Sequence, residues 1–165
     1  MSLALCAVPA AAESGASIHK VGVIKVSKLF EEYEGTKSSD AQLEQMSSAK
    51  QGEREKLVSE IKGMRDELVL LNDESRLERQ RAIEEKIKGL AEFDRSAKDT
   101  LRKHREESLK KILDEIEGTV AKYSKENGFE LVLSDRAVLY GIDALDITSE
   151  VLTILNEQYK KRRAS

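Results

Sequence analysis

The feature that most constrains the fold is a long proline-free run, residues 36–126, rich in charged residues and leucine. It contains 20 Lys and Arg against 21 Asp and Glu. Proline breaks helices, and interspersed charges of both signs are typical of a solvated helix surface. The run therefore predicts long exposed helices. The high content of charged residues, 36%, and the low content of aromatics, 4%, disfavour an enzyme with a large aromatic core. The 39% of apolar residues and the small net charge of -3 disfavour a disordered chain.

Apolar residues within this run recur at the alternating spacing of four and three that is typical of a coiled coil. The first seam contains Leu57, Ile61, Met64, Leu68 and Leu71. The second contains Ile83, Ile87, Leu90, Ala97, Leu101, Ile112, Ile116, Val120 and Tyr123. Poor helix formers lie between the two seams, which predicts a turn near residues 72–76. We therefore predict an antiparallel helical hairpin whose arms extend about 50–70 Å at the usual helical rise.

Capping-box spacing suggests where the two arms of the hairpin begin. Ser39 is followed three residues later by Gln42, and Ser75 is followed three residues later by Glu78. A serine at the N-cap and a Glu or Gln three positions on satisfy each other's backbone donors at a helix start. These pairs predict that the first long helix begins at Ser39 and the second at Ser75.

The β-branched residues lie on either side of the hairpin. Residues 20–26 predict a strand, followed by a short helix that Ser27 caps and Gly35 ends. Asn127 and Gly128 predict a helix C-cap, after which 129–133 and 137–140 predict two paired strands. A final helix is expected to end near Tyr159, before a basic tail at 160–165. The predicted fold class is α+β: a small β-rich body formed by 18–35 and 127–159, which carries the hairpin 36–126.

The predicted body offers too few apolar side chains to be stable alone. Closing the sheets of several subunits around an axis would remove their exposed edges. We therefore expect a homo-oligomer assembled through the body. The candidate oligomerisation residues are Val21, Val23, Ile24, Leu131, Leu133, Val138, Tyr140, Leu152 and Leu155.

The N-terminus has the closing part of a secretory signal. A short apolar run, Leu3 to Val8, is followed by Pro9 and three alanines, the small-residue pattern of a cleavage site. A basic region before the apolar run is missing. Residues 1–12 therefore predict a shortened signal-peptide remnant, with cleavage after Ala12 and export. A disordered alanine-rich N-terminus without a targeting role is the alternative. Cleavage would remove Cys6, the single cysteine, which suits an oxidising compartment.

Three stretches resemble the Skp (OmpH) family of periplasmic chaperones. They are residues 20–30, residues 127–133 with 138–140, and residues 146–148 with 151–152. The resemblance covers roughly Ile18 to Glu157. It implies a jellyfish-like trimer in which a β-rich body holds three hairpin tentacles. It further implies a periplasmic, ATP-independent holdase whose partners are unfolded outer-membrane proteins. The best-known relatives are strongly basic, whereas this chain is slightly acidic, so membrane or lipopolysaccharide contact is left open.

The residues suggest no catalytic chemistry. His19 and His104 are the only histidines, and neither has a metal-ligand partner at usable spacing. No glycine-rich phosphate loop, Ser/His/Asp arrangement or cysteine motif occurs in the sequence. We therefore predict a protein that is not an enzyme and uses no cofactor or metal. His104 falls at a seam position, where a packed core histidine is the expected role.

Client contact needs apolar side chains that are accessible but thinly spread. Val58, Val69, Leu70 and Phe93 lie off the predicted seams, and methionines adapt to varied partners. The alternative for each residue is packing within the hairpin. The candidates are Met46, Val58, Met64, Leu68, Val69, Leu70 and Phe93.

Two glycines interrupt the arms. With a turn centred on Arg76, Gly63 and Gly89 would lie thirteen residues to either side of it, at the same height. Glycine destabilises a helix interior by roughly 0.5–1 kcal/mol relative to alanine. The pair could form a soft hinge or permit close helix packing.

Three other functions compete with the holdase. A structural envelope spacer would use the same coiled-coil arms without binding a client. A prefoldin-like cytosolic chaperone also combines paired helices with a β body, although the signal-like N-terminus disfavours it. Nucleic-acid binding depends only on the four basic residues 160–163, which are typical of a solvated tail, so no nucleic-acid partner is expected.

Overall fold

The computed structural model describes residues 20–164, and the predicted signal-peptide remnant lies outside this range. Most of the described chain is helical, with one small sheet. The elements are β1 Val21–Ile24, α1 Val26–Glu32, α2 Glu34–Glu67, α3 Asp73–Glu126, β2 Leu131–Ser134 and α4 Thr148–Ala164. Single 3₁₀ turns cover Leu68–Leu70, Asp135–Ala137 and Asp143–Leu145.

Helices α2 and α3 form the two arms of the predicted hairpin. At 1.5 Å per residue, their 34 and 54 residues give lengths of about 50 and 80 Å. Opposed side chains of the two arms pair at regular intervals, which fixes the register of the hairpin. The pairs are Glu67 with Arg79, Glu60 with Lys86 at 2.7 Å, and Arg54 with Asp94 at 2.9 Å.

The turn between the arms lies slightly earlier than the sequence predicts. It covers Leu68–Leu70 and the two following residues, and α3 already begins at Asp73. The Ser75 capping prediction is wrong: Asn72 is the N-cap, and its side chain accepts a hydrogen bond from the backbone N–H of Ser75 at 2.9 Å. Asparagine competes well for this position because its short amide reaches the free N–H groups of the first turn.

The first long helix also begins earlier than expected. The capping prediction at Ser39 is wrong, because α2 begins at Glu34 and Ser39 lies one turn inside it. Helix α1 ends before Tyr33, whose backbone is extended. Gly35 was expected to end α1 but lies within α2. A Cβ at position 35 would overlap the Tyr33 ring, so glycine is required for packing at this position. Ser27 is likewise inside α1, not its cap.

The sheet is smaller than predicted and has a different pairing. Strand β2 pairs in parallel with β1, with Val21 opposite Leu131. The predicted strand 137–140 is wrong: a 3₁₀ turn follows β2, and the next residues are irregular. The Ser134 hydroxyl accepts from the N–H of Arg136, which favours this turn over a hairpin. Beyond the turn, Leu139 and Tyr140 are left exposed by the rest of residues 20–164.

The predicted C-cap of the second arm is confirmed. Gly128 has φ 71°, a left-handed conformation that glycine adopts without strain, directly after Asn127. The N–H of Phe129 donates to the carbonyl of Ser124 at 2.9 Å, and the Phe129 ring stacks on Tyr123 at 5.9 Å between centroids. These contacts form a Schellman motif with its hydrophobic contact. The motif turns the chain from α3 into β2.

The core of the body includes the lower part of the hairpin as well as the two ends of the chain. Tyr33, Leu29, Val151 and Leu155 are fully enclosed. Other buried apolar members are Ile24, Ile112, Ile116 and Ile147. Since Ile112 and Ile116 belong to α3, the hairpin is rooted in the body. Helix α4 runs to Ala164, so most of the predicted basic tail is helical, and Lys160 and Arg162 in it form ion pairs with Glu34 and Glu115. Within 20–164, no helix is long and apolar enough to cross a membrane.

Candidate functional site

The tip of the hairpin exposes apolar side chains far from the body core. Val69 and Leu70, in the 3₁₀ turn, are 80% and 86% exposed, and Leu77 on the first turns of α3 is 53% exposed. Their neighbours Leu68 and Leu71 are half-buried in the seam. Charged residues surround this cluster, including the paired Glu67 and Arg79. The arm therefore ends in a small apolar patch, which we call the tip patch and define as Val69, Leu70 and Leu77.

The other client-contact candidates are less accessible than the tip patch. Val58 is exposed on α2, whereas Met46, Met64 and Leu68 are half-buried between the arms. Phe93 was expected off the seam but is half-buried, with Lys50 Nζ 5.4 Å from its ring centroid. Ile87 was expected in the seam but is exposed.

The seam differs from the prediction at Phe93 and Ile87 because charged residues, as well as apolar ones, form part of the contact between the arms. Arg54 and Asp94 are half-buried, and they pair across the arms at 2.9 Å. The apolar pattern of the sequence cannot reveal such a pair, since its members are charged. The nearby Phe93 occupies the seam beside this pair.

The two hinge candidates do not lie opposite each other. The pairings of Glu67 with Arg79 and of Glu60 with Lys86 place Gly63 opposite about Ile83, so Gly89 lies nearer the body than Gly63 does. The expectation of equal height is therefore wrong, because the turn centres several residues before Arg76. A Cβ at Gly63 or Gly89 would meet nothing within 4 Å, so neither glycine serves close packing of the two arms.

One face of the body carries an apolar groove. It consists of two adjoining hollows of about 330 and 390 Å³ that share Val26 and Leu113. Phe129 and Leu131 line the first hollow, and Phe30 lines the second. We call this feature the body groove. The strand β2 forms part of its wall, and among residues 20–164 that strand pairs only with β1.

The candidate oligomerisation residues divide into three groups by exposure. Ile24 and Leu155 are buried in the subunit's own core, and Val21, Val23, Leu133, Val138 and Leu152 are half-buried. Leu131 and Tyr140 are exposed. Two residues absent from the candidates are also exposed, Leu139 completely and Ile142 by 58%. The segment 139–142 therefore presents apolar side chains that residues 20–164 leave largely uncovered.

A partly buried polar cluster joins the hairpin to the body. The Tyr33 hydroxyl donates to Glu115 Oε2 at 2.5 Å and accepts from Arg162 at 2.9 Å. Arg162 also pairs with Glu115 Oε1 at 2.9 Å. Burial and the hydrogen bond to the Glu115 carboxylate raise the pKa of Tyr33. This cluster, which links α2, α3 and α4, was not found from the sequence because its members lie 82 and 47 residues apart.

A second polar cluster connects the end of β1 to the start of α4. Lys25 Nζ pairs with Asp146 Oδ2 at 2.8 Å, and the Asp146 carboxylate accepts from the backbone N–H of Thr148 at 2.9 Å. Burial opposes ionisation of Asp146, but the hydrogen bonds from Lys25 and Thr148 outweigh it and lower its pKa to about 2. Asp146 thereby caps α4 and holds the end of β1.

The titratable side chains of the described residues do not cluster for metal binding. Among residues 20–164, no group of three or more His, Cys, Asp or Glu side chains could hold a metal ion. His104 is half-buried in the seam, and its Nδ1 has no hydrogen-bond partner. Three apolar surface features stand out instead: the tip patch, the body groove and the exposed segment 139–142.

These features define a class of protein: a small α/β body that carries one long helical hairpin. Residues 20–155 match the family described as outer membrane protein (OmpH-like), and the chain belongs to this family. It is 26% identical over 149 residues to the chaperone protein Skp of Pectobacterium atrosepticum, covering 87% of this chain and 89% of that protein. The Skp (OmpH) resemblance is thereby confirmed.

A solved structure shows the same fold. The crystal structure of an OmpH-like outer membrane chaperone from Caulobacter crescentus CB15 superposes with a TM-score of 0.71 at 16% identity, over 92% of each chain. At this identity the likeness supports the fold alone. The family is one of chaperones, not enzymes, so the prediction of a non-enzyme is supported at the level of the family.

Proposed function

We propose that this chain is an ATP-independent periplasmic holdase, which encloses unfolded outer-membrane proteins between the helical arms of a homo-oligomer. The observation that carries the proposal is the tip patch, a small apolar surface at the end of a charged arm rooted in a separate body. Holding an unfolded chain requires accessible apolar contacts that are too small to drive self-association. The arm provides such contacts, and the chaperone relatives support the same role.

The charged arm favours reversible holding over tight binding. Around the tip patch, ion pairs such as Glu67 with Arg79 keep the surface hydrated. A client that touches Val69 and Leu70 buries only a few apolar side chains at each arm, so release needs no energy source. Several arms acting on one client would raise the overall affinity through effective concentration. This reasoning links the holdase function to oligomerisation.

The proposed oligomer is a trimer, in which segment 139–142 of one subunit occupies the body groove of the next. Leu139, Tyr140 and Ile142 are exposed and apolar, and the groove is an apolar surface of the same chain. The groove and the segment are different patches, so the contact is heterologous and forms a ring when the rotation closes. The unpaired side of β2 borders the groove and would be covered in the same assembly.

The experiment that tests the holdase proposal uses an unfolded outer-membrane barrel protein diluted from urea, with turbidity as the readout. The wild-type chain should suppress aggregation, and the V69S/L70S variant should suppress it at least several-fold less well. The control variant E85S/K88S changes two exposed residues of the same arm without altering net charge, and it should act like the wild type. A wild-type chain that leaves aggregation unchanged would favour the envelope-spacer function instead.

Flexibility of the arms at Gly63 and Gly89 is part of this proposal. Both glycines lie in regular helix with open space around them, so they lower local helix stability without a packing role. Bending at two heights would let the cavity widen for larger clients. The G63A/G89A variant should narrow the distribution of arm conformations seen by small-angle scattering. Identical scattering of the variant and the wild type would dismiss the hinge.

A further inference from the structure

A polar cleft lies at the root of the hairpin, where α2, α3 and α4 meet. Its volume is about 430 Å³, within the range of sites that bind small molecules. Three serine hydroxyls and three cationic side chains line it. We call it the root cleft and define it by Ser38, Ser39, Ser108, Lys111, Arg162 and Arg163.

The serine hydroxyls of the root cleft are free to donate. A helical serine or threonine commonly bonds the carbonyl four residues earlier, as Thr119, Ser124 and Thr153 do here at 2.8, 2.7 and 2.9 Å. The three cleft serines are half-buried, yet within residues 20–164 their hydroxyls make no hydrogen bond. The cleft therefore collects unused donors from two helices.

The charge of the root cleft is uncompensated. Glu115 is the one acidic residue that lines it, and Arg162 already neutralises that carboxylate at 2.9 Å. Among the described residues neither Lys111 nor Arg163 has an ion pair, and the Arg163 guanidinium lies 5.9 Å from the centroid of the Tyr159 ring. Two free cations thus face one cleft of a chain whose net charge is -3.

We propose that the root cleft binds a phosphate group. A phosphate has several acceptor oxygens and a double negative charge, which match three hydroxyl donors and two unpaired cations in one concave site. The arginine can engage two oxygens at once, while the lysine acts as a point charge. A soluble phosphate compound and a phospholipid headgroup share this chemistry. This inference goes beyond the proposed holdase function, since the tip patch and the body groove lie elsewhere.

Titration of the full chain with inorganic phosphate, followed by calorimetry at constant ionic strength, tests the inference. The wild type should bind phosphate saturably, and K111Q/R163Q should bind at least tenfold more weakly. The control K110Q/K125Q removes the same charge from exposed residues of α3 outside the cleft, and it should bind like the wild type. The variant S38A/S39A/S108A keeps every charge and should also lose several-fold in affinity.

The source of the phosphate is identified with a second probe, vesicles that contain phosphatidic acid. Vesicle binding that K111Q/R163Q loses would support a lipid headgroup, and phosphate binding without vesicle binding would support a soluble compound. Absence of saturable phosphate binding, or equal affinity in K111Q/R163Q and K110Q/K125Q, would overturn the site. Full affinity in the triple serine variant would also overturn it, because general charge attraction would then suffice. Suppression of client aggregation, measured on the same variants, reports separately on the holdase function.

Discussion

The Tyr33 hydroxyl donates a hydrogen bond to Glu115 Oε2 at 2.5 Å, across 82 residues of sequence. Tyr33 is the residue at which α1 ends and α2 begins, and Glu115 lies where α3 enters the body. Both arms of the hairpin are therefore tied together at their base. Arg162 of α4 contacts both residues and completes the connection.

Removing the Tyr33 hydroxyl should destabilise the body. The Y33F variant keeps the buried ring and the pair of Glu115 with Arg162, but it deletes two hydrogen bonds to charged groups, one donated to Glu115 and one accepted from Arg162. Such bonds contribute about 1.5–3 kcal/mol. We expect a decrease of this size in the free energy of unfolding, measured by urea denaturation. The control is Y123F, whose hydroxyl makes no hydrogen bond within residues 20–164, and equal effects of the two variants would contradict the prediction.

Alanine at position 35 should destabilise the protein, whereas alanine at 118 should stabilise it. The added Cβ at Gly35 would overlap the Tyr33 ring, and overpacking of this kind costs typically about 1–3 kcal/mol. At Gly118, in the interior of α3, a Cβ meets nothing within 4 Å. There the gain in helix propensity is about 0.5–1 kcal/mol. Thermal unfolding of G35A and G118A should give shifts of opposite sign, and a G35A protein as stable as the wild type would contradict this packing.

Asp146 should stabilise the body in a pH-dependent way. Its folded-state pKa, about 2, lies below its ordinary value of 3.8. Its contribution is therefore fully present above the ordinary pKa and is lost as the pH falls toward 2. Allowing for solvent screening, we expect D146N to lose about 1–2 kcal/mol at neutral pH.

The measurement is urea denaturation of the wild type and D146N at several pH values between 7 and about 2.5. The difference between the two proteins should shrink below the ordinary pKa of the carboxyl. D66N, a change at an exposed position of α2, is the control and should show a small difference at every pH. A D146N difference that stays constant down to the lowest pH would show that packing, and not ionisation, accounts for the effect.

Polar replacement of Leu139 and Tyr140 should dissociate the oligomer. In the proposed assembly these side chains enter the body groove of a neighbour, where an aromatic anchor contributes strongly to binding. L139S/Y140S should have a lower mass than the wild type by light scattering at micromolar concentration. V69S/L70S, changed at the far end of the arm, should keep the wild-type mass. A wild type that is itself monomeric under these conditions would refute the assembly.

The sequence predicted the hairpin and the first strand because their signals are local and periodic. The seam from Leu57 to Leu71 and the cap at Gly128 follow from spacing and from one residue's conformational preference. The strand expected at 137–140 was wrong because its apolar residues are exposed in the subunit, and local patterns cannot tell which chain covers them. The polar cluster of Tyr33, Glu115 and Arg162 was missed because it brings together residues from three distant segments.

The parallel pairing of β1 with β2 has a consequence for the order of folding. Val21 and Leu131 pair although the whole hairpin lies between them in the sequence, so closing this sheet carries a large loop-closure entropy unless the hairpin forms first. The arms contain local contacts and can fold early. The apolar residues of β1 then stay uncovered until β2 pairs with it. A chain interrupted before residue 131 would hold two formed arms and no body.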